Sequence, residues 1–282
     1  MFYSPLRYPG GKNKLAKFIA LICEKNNING HYVEPYAGGA SVALYLLMNG
    51  YVKEITINDL DGGIYAFWYS ILNDTEKFCS KIKNTEITVE NWRKFKKIHS
   101  NKDVKMFDLG FATFFLNRTN RSGIIDGGII GGKEQEGIYK IDCRFNKKDL
   151  IKRIQLIAQH KEKIHLYNLD ALELIRKIKK EDKNQNTIFY FDPPYYLKGP
   201  SLYMSHYKND DHEKISKEIQ NIKKVQWIVS YDNVKEIKKL YSGLKKKEYS
   251  FSHVAYETRE GKEILFFSPD LFVPRIDNPA II

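Results

Sequence analysis

The residues of this chain best suited to chemistry are Asp192-Pro193-Pro194-Tyr195, which directly follow an apolar, β-prone run at residues 187–191. A strand that stops at a carboxylate, with two prolines that fix the backbone behind it, presents oxygen acceptors to the crevice outside the carboxyl edge of a sheet. An amino group on a purine ring has a delocalised lone pair, so acceptors must hold its hydrogens while the nitrogen attacks an electrophile. The Asp192 carboxylate and the Pro193 carbonyl could be those acceptors, and the Tyr195 ring could stack on the base. The chemistry that this arrangement suits is methyl transfer to a weakly nucleophilic amine.

The same four residues also fit a turn without any chemistry. Asp-Pro commonly ends a strand, and a tyrosine after proline is often rim packing. Short motifs also occur by chance, so the rest of the chain has to decide between the two interpretations.

A second motif has the order strand, glycine turn and helix. The strand-like residues 31–34 lead into Pro35-Tyr36-Ala37-Gly38-Gly39-Ala40-Ser41, and an apolar helix follows at residues 42–48. The next strand, residues 54–58, ends at Asp59, about 20 residues after the glycine turn, where a carboxylate can accept both hydroxyls of a ribose. The spacing predicts a site for an adenosyl group, whereas the glycines without Asp59 would fit an unliganded tight turn.

The glycine turn also excludes two classes of ligand. It lacks the full Gly-x-Gly-x-x-Gly pattern of dinucleotide sites, and it lacks the Gly-Lys-Ser/Thr ending of a P-loop. Dinucleotide binding and triphosphate binding are therefore both disfavoured.

Further elements complete a predicted sheet. A Gly-rich loop with an aromatic residue and two cations occupies residues 5–12, and a helical apolar period follows at residues 14–24. The strand-like residues 164–167 are followed by Asp170, which we expect at the same sheet edge as Asp59, in a position to face the adenine. With later β-like runs at residues 225–230 and 264–267, this alternation predicts an α/β fold with a doubly wound, mostly parallel sheet.

Between residues 73 and 157 the composition changes. This segment has 18 Lys and Arg against 11 Asp and Glu, a net charge of +7 out of +12 for the whole chain. Its basic stretch at residues 92–97 has interleaved aromatic residues and would suit contact with phosphates, although most such runs are solvated helix faces. Side chains of the types that read base edges or bind phosphate follow, and the candidates are Asn117, Arg118, Asn120, Arg121, Ser122 and Arg144. For any single arginine, pairing with an acidic surface group is the alternative.

Composition limits the class of protein. A chain of 282 residues with 43% hydrophobic residues can bury a good core plus a smaller domain, and a net charge of +12 together with 19 Tyr and 16 Phe favours nucleic acid as partner. No stretch approaches the roughly 20 apolar residues that span a bilayer, so we expect a cytoplasmic protein without a membrane partner. The three cysteines are widely spaced, without histidines at zinc-ligand intervals, and predict reduced structural thiols and no metal site.

Four motifs occur in the order Tyr8-Pro9-Gly10-Gly11-Lys12, Glu34-Pro35-Tyr36-Ala37-Gly38-Gly39, Asp59 and Asp192-Pro193-Pro194-Tyr195, with the basic insert before the last. In this order they resemble the Dam-like (D12 class) DNA N6-adenine methyltransferases, and the resemblance covers essentially the whole chain. It implies an enzyme that uses S-adenosyl-L-methionine on double-stranded DNA. It also implies a Rossmann-like catalytic domain at residues 1–72 and 158–282 and an inserted, mainly helical target-recognition domain at residues 73–157.

The resemblance assigns roles to individual residues. Asp192, Pro193, Pro194 and Tyr195 match the catalytic motif, and Arg7 is similar to a basic position that touches DNA in relatives. The cofactor-binding residues that we expect, from the resemblance and from the patterns above together, are Tyr8, Gly10, Gly11, Lys12, Glu34, Tyr36, Ala37, Gly38, Gly39, Ser41, Asp59, Asp170 and Asp192.

The sequence departs from the family in two places. Tyr8 stands where some members have tryptophan, which keeps a ring against the cofactor. The loop at residues 119–123 lacks the aromatic residue that GATC-specific members wedge into the duplex, so specificity for GATC does not carry over.

Several interpretations stay open at this point. The substrate could instead be adenine in RNA or an amide nitrogen in a protein, or the chain could be an inactive relative that only binds nucleic acid. The same residues fit a restriction–modification system with a separate cognate endonuclease, a phage enzyme or a regulatory one. We expect the chain to act as a monomer, since it carries both catalysis and recognition.

Overall fold

The structure is a computed structural model, and it describes residues 2–7, 12–181, 186–196, 208–255 and 257–281. The helices of this part are α1 (Ala16–Lys25), α2 (Ser41–Met48), α3 (Gly62–Asn73), α4 (Thr75–Asn84), α5 (Val89–Ser100), α6 (Met106–Thr119), α7 (Lys147–Ala158), α8 (Ala171–Glu181), α9 (Asn209–Gln220) and α10 (Lys235–Leu240). The strands are β1 (His31–Glu34), β2 (Glu54–Asn58), β3 (Ile164–Tyr167), β4 (Thr187–Phe191), β5 (Gln226–Asp232), β6 (Lys246–Ala255) and β7 (Glu257–Phe267). A short 3₁₀ turn, Lys12–Leu15, precedes α1.

By its internal contacts the chain divides into two compact units, which are described separately. One unit comprises residues 1–11 and 61–168, and the other comprises residues 12–60 and 169–282. This division groups the N-terminal segment, α3 and β3 with the basic insert.

The second unit, residues 12–60 and 169–282, is built on a sheet and is called the sheet unit. Its strands lie in the order β2-β1-β4-β5-β7-β6. Strands β2, β1, β4 and β5 are parallel, and β7 is antiparallel to both of its neighbours, β5 and β6. The parallel strands are apolar because helices cover parallel sheets on both faces, and all five residues of β4 are buried. The predicted mostly parallel α/β sheet is confirmed. Sequence patterns missed β6, which begins with two lysines and a glutamate, residues that are common in edge strands.

The strand order places a topological switch point between β1 and β4. From β1 the chain moves to β2 on one side, and it later returns to β4 on the other side of β1. In open α/β sheets, ligands bind outside the carboxyl ends of the strands at such a point. Glu34 ends β1, and Asp192 directly follows β4.

The first unit, residues 1–11 and 61–168, is mainly helical, has an aromatic core and is called the helical unit. Phe67 of α3 stacks on Phe114 of α6 with ring centroids 5.7 Å apart, and Phe78 of α4 meets Phe114 edge-on at 5.5 Å. Such pairs stabilise a fold by about 0.5–1.5 kcal/mol each beyond their burial. Helices α3 and α6 approach so closely at Gly110 that a Cβ there would lie 2.3 Å from the Ala66 carbonyl oxygen. Within the residues that the structure describes, no helix is long and apolar enough to cross a membrane.

Candidate active site

The Asp192 carboxylate is held from two sides at the carboxyl end of β4. Its Oδ2 atom accepts a hydrogen bond from Lys12 Nζ at 2.8 Å, and its Oδ1 atom accepts one from Ser230 Oγ at 2.6 Å. Ser230 lies on the neighbouring parallel strand β5, and its hydroxyl in turn accepts a bond from Tyr190 at 3.0 Å. Each carboxylate oxygen has two lone pairs, so each retains acceptor capacity for a substrate hydrogen.

Burial raises the pKa of Asp192 above its ordinary value, because it disfavours the charged form. The nearby Glu263 adds to this rise, whereas the Lys12 ammonium and the Ser230 hydroxyl oppose it. The carboxylate is 19% exposed, so one side remains open to a ligand.

Tyr195 is buried, and its hydroxyl belongs to the same network. The hydroxyl accepts a hydrogen bond from Lys12 Nζ at 2.6 Å and donates one to Glu263 Oε1. The other oxygen of Glu263 accepts a bond from the Tyr249 hydroxyl, and Lys12 Nζ lies 3.6 Å from Glu263 Oε1. One ammonium group therefore lies between two carboxylates and a phenol.

The backbone that follows Asp192 is anchored to β5. Pro193 is buried and Pro194 is half-buried, and the backbone N–H of Tyr196 donates to Asp232 Oδ1 at 3.0 Å. The fixed backbone angles of the two prolines and this bond limit the freedom of the Pro193 carbonyl.

Glu34, the last residue of β1, is buried beneath the glycine turn. Its Oε1 atom accepts hydrogen bonds from the Tyr32 hydroxyl at 3.0 Å and from the Ala43 backbone N–H at 3.1 Å, in the first turn of α2. Burial raises the pKa of Glu34 to about 8, although both hydrogen bonds and the helix N-terminus favour the carboxylate. Glu34 therefore links β1 to the helix that follows the glycine turn.

The carboxyl end of β2 holds the glycine turn. Gly38 N–H donates to Asp59 Oδ2 at 2.8 Å, and Ala37 N–H donates to the Asn58 carbonyl at 2.8 Å. Both Gly38 and Ala40 have positive φ, at 47° and 46°. The carboxylate of Asp59 and the glycine turn are therefore in direct contact.

Asn58 connects this turn to the loop before α8. Its side-chain Nδ2 atom donates to the carbonyls of Pro35 at 2.9 Å and Leu169 at 3.0 Å, and its Oδ1 accepts the Leu169 N–H at 2.9 Å. The next residue, Asp170, accepts the Leu172 N–H at 2.8 Å and so begins α8. Asn58 and Leu169, which directly precede Asp59 and Asp170, are therefore hydrogen-bonded to each other.

The remaining predicted cofactor residues belong to the same turn or lie outside the described residues. Tyr36 and Ser41 are half-buried, and Gly39 is buried. Tyr8, Gly10 and Gly11 lie outside the described residues.

In the helical unit, Asn117 fixes the N-terminal segment against the loop after α6. Its Oδ1 atom accepts the Arg7 N–H at 2.7 Å, and its Nδ2 atom donates to the carbonyls of Arg7 at 2.7 Å and Gly123 at 2.9 Å. Gly123 has a φ of 78°, and a Cβ there would lie 2.2 Å from the Arg7 carbonyl oxygen. Asn117 is buried, and its amide shapes the loop.

Asn120 has a similar structural role. Its Oδ1 atom accepts the Trp92 indole N–H at 2.6 Å, and its Nδ2 atom donates to the carbonyls of Ile124 and Ile125. The residues of the predicted DNA-contacting set with exposed side chains are Arg121, Ser122 and Arg144.

Arg118 lies in a cluster of arginines. Its Nη1 atom donates to the Pro5 carbonyl at 3.5 Å, its Nη2 atom donates to the Arg144 carbonyl, and its buried Nε has no hydrogen-bond partner among the described residues. Burial lowers the pKa of Arg118 to about 9, with further lowering by Arg7, Arg153 and Arg144. An anion bound here would relieve this repulsion.

Sequence patterns missed three polar residues of the sheet unit: Asn58, Ser230 and Glu263. Each lies in or at the end of an apolar strand and is buried. A polar or charged residue at an inward position of a strand is costly unless it is paired, and this was the signal available in the sequence.

The model of the family "D12 class N6 adenine-specific DNA methyltransferase" matches residues 8–258. No curated protein sequence matches the chain. Among solved structures, the chain is similar to a SAM-dependent methyltransferase from Agrobacterium tumefaciens, with 10% sequence identity and a TM-score of 0.40. That similarity covers 90% of this chain and 61% of the other.

Proposed function

This chain belongs to the D12 class N6 adenine-specific DNA methyltransferases, and from that premise we propose that it moves a methyl group from S-adenosylmethionine to the N6 atom of adenine in duplex DNA. The observation that carries the proposal is the Asp192 carboxylate, held by Lys12 and Ser230 at the switch point of the sheet. We propose further that it acts as a monomer in the cytoplasm.

The residues around the glycine turn fit the cofactor. Asp59 presents a half-buried carboxylate that already orders Gly38, so it can accept the ribose hydroxyls. Near β4, the carboxylates of Asp192 and Glu263 share the single ammonium of Lys12. Among the described residues of this network there are thus two carboxylates and one ammonium, an arrangement that suits a sulfonium cation.

When bound, S-adenosylmethionine supplies an electrophilic methyl group, so that the N6–C bond forms while the C–S bond breaks and sulfur keeps the electron pair. Asp192 and the Pro193 carbonyl accept the two amino hydrogens of the adenine and draw its lone pair out of the ring. After transfer the amine loses one proton, which the Asp192 carboxylate can accept. Placing both reactants in one geometry can lower the barrier by roughly 7–11 kcal/mol.

The target base must leave the helix to reach Asp192, and base flipping costs a few kcal/mol. Phosphate contacts can offset this cost. The arginines of the helical unit support this part of the proposal, because Arg118 carries a buried cation whose Nε lacks a hydrogen-bond partner within the described part of the chain. Arg121, Ser122 and Arg144 have exposed side chains and are the candidates for contacts with the bases or the phosphates of DNA.

The arginine cluster also favours nucleic acid over a protein amide as the substrate. A protein amide brings no phosphate to offset the repulsion among Arg7, Arg118 and Arg144. The finer biological setting that we propose is a restriction–modification or phage enzyme, with any cognate endonuclease acting as a separate protein.

The proposal is tested with labelled S-adenosylmethionine and unmethylated duplex DNA, RNA and protein offered in parallel. We expect N6-methyladenine in DNA, in one short sequence context read by sequencing. Asp192→Ala should abolish turnover, whereas Asp270→Ala removes an exposed carboxylate and should retain it. Incorporation only into RNA or protein, or full activity of the Asp192 variant, would refute the proposal.

A further inference from the structure

Glu263 is a buried carboxylate on β7 that belongs to none of the motifs in this sequence. It is 3% exposed, and its backbone pairs with that of Asp232 on β5. Its two oxygens accept hydrogen bonds from the hydroxyls of Tyr195 and Tyr249. A buried carboxylate is costly unless it is paired, so its presence beside the candidate active site calls for a reason.

The hydrogen bonds of Tyr195 have a direction. Lysine is a donor only, so the Tyr195 hydroxyl accepts from Lys12 and must direct its own proton elsewhere. Glu263 Oε1 accepts that proton. The order Lys12, Tyr195, Glu263 therefore fixes the hydroxyl end of the Tyr195 ring.

Glu263 also forms an ion pair with Lys12 and so affects how strongly the ammonium pairs with Asp192. The ammonium lies 2.8 Å from Asp192 Oδ2 and 3.6 Å from Glu263 Oε1, in a region where neither partner is well solvated. With a neutral residue at position 263, Lys12 would lose one of the two carboxylates that pair with it among the described residues and would depend more on Asp192. The ammonium would then compete more strongly with substrate hydrogens for the oxygens of Asp192.

We propose that Glu263 is a positioning residue for methyl transfer. It holds the Tyr195 ring by its hydroxyl and shares the Lys12 ammonium with Asp192, so that ring and carboxylate are set before adenine arrives. This inference rests on the proposed function, since it assigns Glu263 to the same reaction. Glu263 acts through its neighbours and transfers no proton to or from the substrate.

The test compares Glu263→Gln, Tyr195→Phe and the double variant. The measurements are kcat on unmethylated duplex DNA, the Kd for S-adenosylmethionine by calorimetry, and the thermal midpoint. Glu248→Gln is the matched control, because it removes the same charge from the exposed face of the neighbouring strand β6. We expect Glu263→Gln to lower kcat at least tenfold and to change the cofactor Kd by less than threefold.

The double variant separates positioning from general structural support. If Glu263 works through the Tyr195 hydroxyl, the double variant should lose little more kcat than the worse single variant. Glu263→Asp restores the charge and should recover part of kcat. If Glu263→Gln does not fold, Tyr195→Phe decides alone, because it removes the hydroxyl that bridges Lys12 and Glu263 while both charges remain.

Several outcomes would overturn the inference. These are an unchanged kcat in Glu263→Gln, a loss confined to cofactor Kd, multiplicative losses in the double variant, or an unchanged kcat in Tyr195→Phe where that variant decides alone. Failure of the proposed function has a different signature, since the wild-type chain would then fail to methylate DNA at all.

Discussion

Replacing Glu34 with glutamine should remove a large part of the pH dependence of this protein's stability. Glu34 is buried below the glycine turn, and both of its hydrogen bonds, from Tyr32 and from the Ala43 N–H, reach the same oxygen, Oε1. Glutamine can keep both bonds with its own Oε1 and present an NH₂ group where a protonated glutamate has its hydroxyl. The variant is therefore a close model of the neutral acid.

Proton linkage determines whether the free energy of unfolding rises or falls with pH. Burial raises the pKa of Glu34 from 4.5 to about 8 in the folded chain. Between these values the folded state holds a proton that the unfolded state has lost, so the free energy of unfolding falls as the pH rises. The contribution of Glu34 is fully favourable below pH about 4.5 and is lost by pH about 8.

The size of this change in free energy follows from the difference between the two pKa values of Glu34. At about 1.4 kcal/mol per pH unit, the loss across this interval is at most about 5 kcal/mol for this one carboxyl group. Such a value is a large fraction of the roughly 5–15 kcal/mol that stabilises a typical domain. Glu34→Gln should match the wild type near pH 4.5 and exceed it in stability at pH 8.5, by up to that amount.

Urea unfolding, followed by circular dichroism at half-unit steps from pH 4.5 to 9, measures the difference between variant and wild type. Other titrating groups cancel in this difference. Glu24→Gln is the control, because it removes one negative charge at an exposed site on α1. Equal pH profiles for Glu34→Gln and the wild type would refute the reasoning, as would a variant that is less stable at pH 8.5.

Three further predictions concern the ligand sites and the loops. Asp59→Ala should weaken S-adenosylmethionine binding at least tenfold in calorimetry, because the proposed ribose acceptor and the anchor of Gly38 are both lost; an unchanged Kd would contradict this assignment. Gly123→Ala should lower the thermal midpoint more than Gly50→Ala, since both have positive φ, worth about 1–2 kcal/mol, but only the first would drive a Cβ to 2.2 Å from a carbonyl oxygen. Arg144→Gln should weaken DNA binding and reduce the slope of log K against log salt by about 1, whereas an unaltered slope would argue against a phosphate contact.

Local sequence patterns determined the parallel strands and the residues at their ends. An apolar run followed by Asp192 predicts a carboxylate at the edge of a sheet, and the glycine turn with Asp59 predicts a site for an adenosyl group. Both inferences rest on the same property of the fold, namely that parallel strands bring their carboxyl ends to one edge of the sheet. The contact of Asp59 with the Gly38 N–H has this origin.

The partners of these residues were decided only by the tertiary structure. Ser230 lies on β5 and Glu263 lies on β7, and both side chains belong to the Asp192 network. Strands β5 and β7 are far apart in the sequence, and only their pairing in the sheet brings these two residues together. Asn117 and Asn120 had the residue types of base readers, but burial gave their amides to loop carbonyls and to the Trp92 indole. A sequence shows which side chains can donate, accept or carry charge. Packing decides which of them lose their water, and a polar group that loses water must take the nearest partner that the fold supplies.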